Sequence, residues 1–188
     1  MPKSGFTLLE ILIVLGLIAF ISLLLLPRLT RPKTNFMTAV RDLTVLSKEV
    51  RNSARLKKST YRLVFELGVN ENEYWLEVAP GRPPIAQQDS RTSDDAKKKS
   101  PFQKATAPLK GVKKLPGKLY FQQLETLHQG IQTSGEGYVH FSPDGLVEKS
   151  ALLITDGKNL NWTLVFHPLT GQVDVMEQAI GLKDLETP

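Results

Sequence analysis

Residues 6–26 read FTLLEILIVLGLIAFISLLLL, and the reading of this run decides the rest of the chain. At 1.5 Å of rise per residue, a helix over it is about 31 Å long, which matches a bilayer core of roughly 30 Å. The expectation is a membrane-spanning helix. One carboxylate, Glu10, sits inside it. An ionised acid costs roughly 2.5–3.5 kcal/mol at the centre of a spanning helix and less near its edge. Such an acid calls for a role and a partner.

Three readings compete for this segment. A secretory signal peptide has an apolar core of about 7–15 residues and then a small-x-small cleavage site; this run is longer and ends in leucines before Pro27. A plain anchor explains the length and leaves Glu10 idle. The third reading uses every feature: a short leader, Met1-Pro2-Lys3-Ser4-Gly5, then Phe6-Thr7-Leu8-Leu9-Glu10 opening an apolar helix. This stretch resembles the prepilin signature of type IV pilins and type II secretion pseudopilins. The resemblance implies that a prepilin peptidase cuts after Gly5 and that the new terminal Phe6 is N-methylated. It makes Glu10 the fifth residue of the mature chain, and Pro27 a kink that closes the apolar run.

The chemistry agrees with that implication. A freed amine at Phe6 has a reference pKa of about 7.7–8 and is largely cationic near neutrality. An amine and a carboxylate brought together in a low-dielectric layer offset each other's cost of burial. Residues 6 and 10 are an i, i+4 pair within one helix; in an assembly Glu10 meets the Phe6 amine of a neighbour instead. Glu10 is then a device that fixes axial register. In the plainer alternative, the acid lies near the interface and snorkels to water. Charge counting opposes the family's orientation mildly, with Lys3 and the starting amine before the helix and Arg28, Arg31 and Lys33 after it. Gly16, Ala19 and Ser22 recur at every third residue, as in a close-packing stripe or in ordinary helix composition.

After Pro32, Phe36, Val40, Leu43, Leu46, Val50 and Ala54 mark one apolar helical face. From Thr60 the period falls to two: Tyr61, Leu63, Phe65 and Leu67 alternate with Thr60, Arg62, Val64 and Glu66, and Glu73 to Val78 repeats the pattern. Further strand-like runs stand at 118–125, 137–142, 147–155, 160–167 and 172–176, separated by turns such as Ser142-Pro143-Asp144-Gly145 and Asp156-Gly157-Lys158-Asn159. Short strands after one helix point to an antiparallel sandwich or a strongly bent sheet. The Phe141-Ser142-Pro143-Asp144-Gly145 turn, two more strands and Leu169-Thr170-Gly171-Gln172-Val173 resemble the minor pseudopilins of the H class and related minor pilins. That family commonly carries Arg where this chain has Gln172.

The chain has 188 residues, no cysteine and a net charge of +5. Without cysteine there is no disulfide framework, thiolate metal site or cysteine nucleophile. Residues 81–117 hold nine Lys/Arg against three acids, with five prolines, so the basic character belongs to one loop. Such a composition favours a mobile insertion that projects from the β region. Its charge also suits an acidic subunit, anionic headgroups or DNA, although Phe102 is its one aromatic residue. His128, His140 and His167 are scattered without metal-ligand spacing. Asp156, Asn159 and Asn161 offer oxygens to a calcium ion, but their spacing matches no calcium loop and suits an ordinary turn. No phosphate loop, dinucleotide fingerprint or catalytic constellation appears, and neither an enzyme nor a cofactor is expected.

The expected architecture is therefore α+β, pilin-like: a leader at 1–5, a transmembrane and filament-core helix at 6–27, its continuation over 28–57, and a β-rich domain over 58–188 with a flexible basic loop at 81–117. The long helix, membrane-spanning in its first half, would pack on an antiparallel, sandwich-like domain. The resemblance implies a bacterial inner-membrane protein of single pass, with a cytoplasmic N-terminus and a periplasmic C-terminal domain. It implies a minor pseudopilin of a type II secretion system, near the tip of a short pseudopilus that helps export folded proteins. The alternative is a minor pilin of a type IV pilus, serving initiation, adhesion or DNA uptake. Its partners would be the prepilin peptidase, other pilin-like subunits, the inner membrane before assembly and, through loop 81–117, conceivably nucleic acid.

Overall fold

The computed structural model describes residues 7–25, 32–83 and 100–185. The chain divides into two compact units, Met1–Thr34 and Asn35–Pro188. The first holds helix α1, Leu8–Leu25. Helix α2, Pro32–Lys57, carries the chain into the second. Proline suits a first helical position, where its missing N–H would have no intrahelical partner. Pro32 thus opens a helix here.

This differs from the expected architecture. In place of one long helix over 6–57, the described residues hold two, of 18 and 26 residues, and the fold is mostly β. No described helix is long and apolar enough to cross a membrane. As formed, α1 covers about 27 Å, and Glu10 in its first turn leaves only about 22 Å of uninterrupted apolar helix. A bilayer core needs roughly 30 Å. The α+β class with its long membrane-spanning helix, the transmembrane segment, and the single-pass inner-membrane placement with a periplasmic domain are corrected accordingly. Pro27, the expected kink, and residues 28–31 of the expected continuation lie outside the described residues.

The second unit contains two antiparallel sheets. The first is built from β1 (Ser59–Leu67), β2 (Glu73–Pro80), β3 (Gln103–Lys104), β4 (Lys113–Lys114) and β7 (Gly135–Phe141). Its order is β3-β2-β1-β7, with β4 also on β2. The second has β5 (Tyr120–Thr126), β6 (Gly130–Gln132), β8 (Ser150–Thr155), β9 (Asn161–Phe166) and β10 (Val173–Met176), in the order β10-β9-β8-β5-β6.

One core joins α2 to both sheets. Phe36, Leu43, Val50 and Ala54 are fully buried on one face of α2, together with Ala39. Phe36 meets Trp162 of β9 edge-on, with ring centroids 4.0 Å apart, a favoured aromatic geometry. Tyr61, Leu63, Phe65 and Leu67 of β1 face the same core, and so do Leu152, Leu164 and Phe166 of the second sheet. Period two explains the inward set of β1. It does not explain why Thr60, Arg62 and Val64, on the opposite face, are also buried. A strand buried on both faces needs cover on both. On that face Arg62 lies under the Phe102 and Tyr138 rings and the Thr60 hydroxyl donates to the Gly81 carbonyl, while the rest of 100–117 sets β3 and β4 on the edge of β2 and adds Ala105, Leu109 and Leu115 to the inner core. Residues 84–99 of the basic segment lie outside the described residues.

Candidate functional site

Glu10 stands in the first turn of α1. Its backbone N–H donates to the hydroxyl of Thr7 at 3.3 Å and lies 3.1 Å from the Thr7 carbonyl. Thr7 followed three residues later by Glu is the pattern of a helix-start capping box, and a carboxylate there faces the positive end of the helix dipole. Glu10 therefore has a local role in starting α1. Gly5 and Phe6, the expected cleavage and methylation positions, lie outside the described residues, as does any pairing of the Phe6 amine with Glu10. Every side chain from Thr7 to Ser22 is exposed. Gly16, Ala19 and Ser22 are among them, and a Cβ at Gly16 would meet nothing within 4 Å. The first unit thus presents an apolar helix uncovered around its whole circumference.

The second unit holds a row of polar groups on the outer face of its first sheet. Strand register sets Glu77 of β2 opposite Arg62 of β1, and Arg62 opposite His140 of β7. The Arg62 guanidinium bonds Glu77 Oε2 through Nε at 2.7 Å and Nη2 at 2.6 Å, while Trp75 Nε1 donates to Oε1 at 2.9 Å. The guanidinium plane lies between two rings, 4.2 Å from the centre of Phe102 and 4.1 Å from that of Tyr138. This double cation–π contact fastens residues 100–104 over the sheet. The Tyr138 hydroxyl donates to Glu136 at 2.8 Å; burial first, and that bond second, push its pKa far above the usual phenol range.

The row ends on Glu148. A bridge pairs Phe141 with Val147, so Glu148 falls opposite His140, and its N–H donates to the His140 carbonyl at 2.8 Å. The Glu148 side chain is only 3% exposed and accepts four N–H groups. His140 reaches Oε2 through Nδ1 at 2.7 Å and its backbone N–H at 3.2 Å. His128, at the β5–β6 turn, reaches Oε1 through Nδ1 at 2.6 Å and its backbone N–H at 3.3 Å. Burial alone would raise the carboxyl pKa, but the bonds from His140 and His128 outweigh it and hold it below the ordinary range. Together with Gln129 Oε1, which accepts the Tyr138 N–H at 2.9 Å, this carboxylate occupies outward-facing donors of the β7 edge. A row so closed is a clamp: it fixes the 126–130 turn and protects an exposed edge. Both Nδ1 atoms converge on one carboxylate, and among the described residues no group of His, Asp or Glu is arranged to hold a metal ion.

A second constellation lies at the other margin of α2. Arg51 donates to the carbonyls of Gly145 at 2.8 Å and Leu169 at 2.6 Å, and the Ser47 hydroxyl donates to the Gly171 carbonyl at 2.8 Å. Both turns singled out in the sequence are thus held by one helix. Gly145 (φ +83°) and Gly171 (φ +65°) have left-handed backbones, and a Cβ on either would collide with Arg55 or Arg51 respectively. The remaining candidates part company. Asp156 Oδ1 accepts the N–H groups of Lys158, Asn159 and Leu160, a closed Asx turn that leaves this oxygen no need of calcium. His167 pairs with Asp174 at 2.7 Å, apart from the other two histidines.

Sequence reasoning missed Glu148 and left its histidines scattered. The available signal was the turn at 142–145, which folds residue 148 back onto residue 140. Compared with family models, curated proteins and solved structures, the chain gives no match.

Proposed function

We propose that the chain is a minor pseudopilin subunit of a type II secretion system, recruited into a short filament through α1 and displaying its two-sheet unit outside the bundle. The observation that carries this reading is α1 itself. A helix that is apolar all round is stable in water only when covered, and from Thr7 to Ser22 its side chains are all exposed in the single chain. Neighbouring helices of the same kind are the natural cover. The leader ending at Gly5, the Phe6-Thr7-Leu8-Leu9-Glu10 signature and the two glycine turns supply the family link through resemblance. Glu10 starts the helix locally and, after cleavage, meets an amine at Phe6 of its own or a neighbouring chain.

The decisive experiment purifies the protein from its native host and identifies its first residue. Cleavage after Gly5 leaves a methylated Phe6; a retained Met1 on the assembled protein overturns the reading. Deletion of the gene separates the two filament classes. Loss of exoprotein release with normal pili marks a secretion pseudopilin, and lost pilus function with normal secretion marks a type IV minor pilin.

A further inference from the structure

A groove of about 460 Å³ runs along α2 between residues 41–49 and the turn at 108–113. Leu46 and Leu109, both nearly buried, form its floor, and Val45 stands half-exposed at its side. Arg41, Lys110 and Lys113 line it together with Asp42 and Glu49, yet among the described residues none of these five makes an ion pair. Three cations and two acids, unpaired and carried on separate elements, thus stand around an apolar floor, with one positive charge in excess. Tyr74 adds a second, independent feature. Its residue is 5% exposed, but its hydroxyl has no hydrogen-bond partner among the described residues. No buried side-chain nitrogen or oxygen of the described residues is left unpaired, so this hydroxyl opens into the groove. Burial first and Asp42 second raise its pKa, which keeps it a proton donor.

We propose that this groove binds an extended acidic segment of a partner protein, with an apolar side chain on the Leu46–Leu109 floor. The carboxylates of that segment face Arg41, Lys110 and Lys113, and the Tyr74 hydroxyl donates to one of its oxygens. The excess of cations sets the sign of the ligand. The Tyr74 ring is unavailable for base stacking, because it packs against Phe65 and Phe121. The inference is independent of the pseudopilin reading and survives its failure.

The test measures binding of two labelled decapeptides, alternating Leu-Glu and alternating Leu-Lys, to the full chain by fluorescence anisotropy. The expected result is saturable binding of the Leu-Glu peptide alone, weakened by raising salt from 50 to 500 mM. Lys110→Glu with Lys113→Glu should weaken it by about tenfold, a typical effect of reversing charges at an exposed site. Tyr74→Phe, which removes only the hydroxyl, should weaken it several-fold, and circular dichroism confirms that each variant is folded. Equal binding of both peptides, no binding of either, or full binding by the double variant overturns the proposal. So does tighter binding to anionic phosphatidylglycerol vesicles that the double variant shares with the wild type.

Discussion

Glu148 is the residue on which most of the polar order of the two-sheet unit depends. Its carboxylate is itself almost wholly buried and accepts two ring and two backbone N–H groups, those of His140 buried and those of His128 at the margin. Truncating such a group leaves buried donors unpaired, at about 1–3 kcal/mol. For a domain of this size, 1 kcal/mol moves the melting temperature by about 2–4 °C, so Glu148→Ala should lower Tm by roughly 2–12 °C in differential scanning calorimetry. The pH dependence has a definite sign. The folded carboxyl pKa is lowered, so its stabilisation is complete above the unfolded value of about 4.3 and is lost as pH falls below it. The stability gap between wild type and Glu148→Ala should therefore shrink as pH falls below about 4.3; a gap that widens there would contradict the assignment. Little of this could be read beforehand. His140 was legible as an outward-facing strand residue, but its partner lies beyond a turn. His128 comes from another hairpin altogether, and no local pattern ties it to Glu148.

At the scale of elements, α2 was the most legible piece and also the most misjudged. Its apolar spacing marks the buried face, because a helix packed on one core must repeat near 3.6 residues. Where it starts and what it holds depend on other things. Pro32, a breaker inside a helix, serves here as a first-turn residue. Arg51 lies off the apolar face and joins turns 94 and 118 residues away. Contacts so distant leave no periodic trace. The strands β1, β2, β5, β7, β8, β9 and β10 fall on or near alternating runs. By contrast β3, β4 and β6, with two or three residues each, are too short to show a period and are set by pairing alone. The Arg51 staple gives a prediction at this scale. Arg51→Ala removes two charge-assisted bonds and should cost about 2 kcal/mol in urea unfolding. Gly171→Ala sets a side chain on a left-handed backbone against Arg51 and should cost about 1–2 kcal/mol. The two changes share a partner, so the double variant should fall short of the sum. Strict additivity would mean that Arg51 does not hold that turn.

At the scale of the molecule, the chain combines two solutions to the burial of apolar surface. The unit from Asn35 onward closes a core of its own, built from α2 and both sheets. Among its described residues the first unit closes none: Leu8, Leu12 and Phe20 are 79%, 64% and 63% exposed. The hydrophobicity of this run was plain in the sequence. Its length as a helix was not, since where a helix stops depends on surroundings that an apolar run does not encode, and the membrane-spanning expectation failed on that point. An uncovered apolar helix beside a self-sufficient domain implies that assembly and folding are separable. Replacing Leu12 and Ile13 by lysine puts two charges into a surface that only helix–helix contact would cover. Those substitutions should leave the thermal unfolding of the two-sheet unit within about 0.5 kcal/mol of wild type, as for changes remote from its core. They should at the same time abolish cross-linking of the chain into filaments in its native host. Glu10→Leu separates the two roles of the acid. It keeps the surface apolar while removing the carboxylate, so helix content should persist and filament incorporation should drop. Undiminished incorporation of Glu10→Leu would confine Glu10 to starting the helix. Undiminished incorporation of the lysine variant would show that α1 is not the surface through which the subunit assembles.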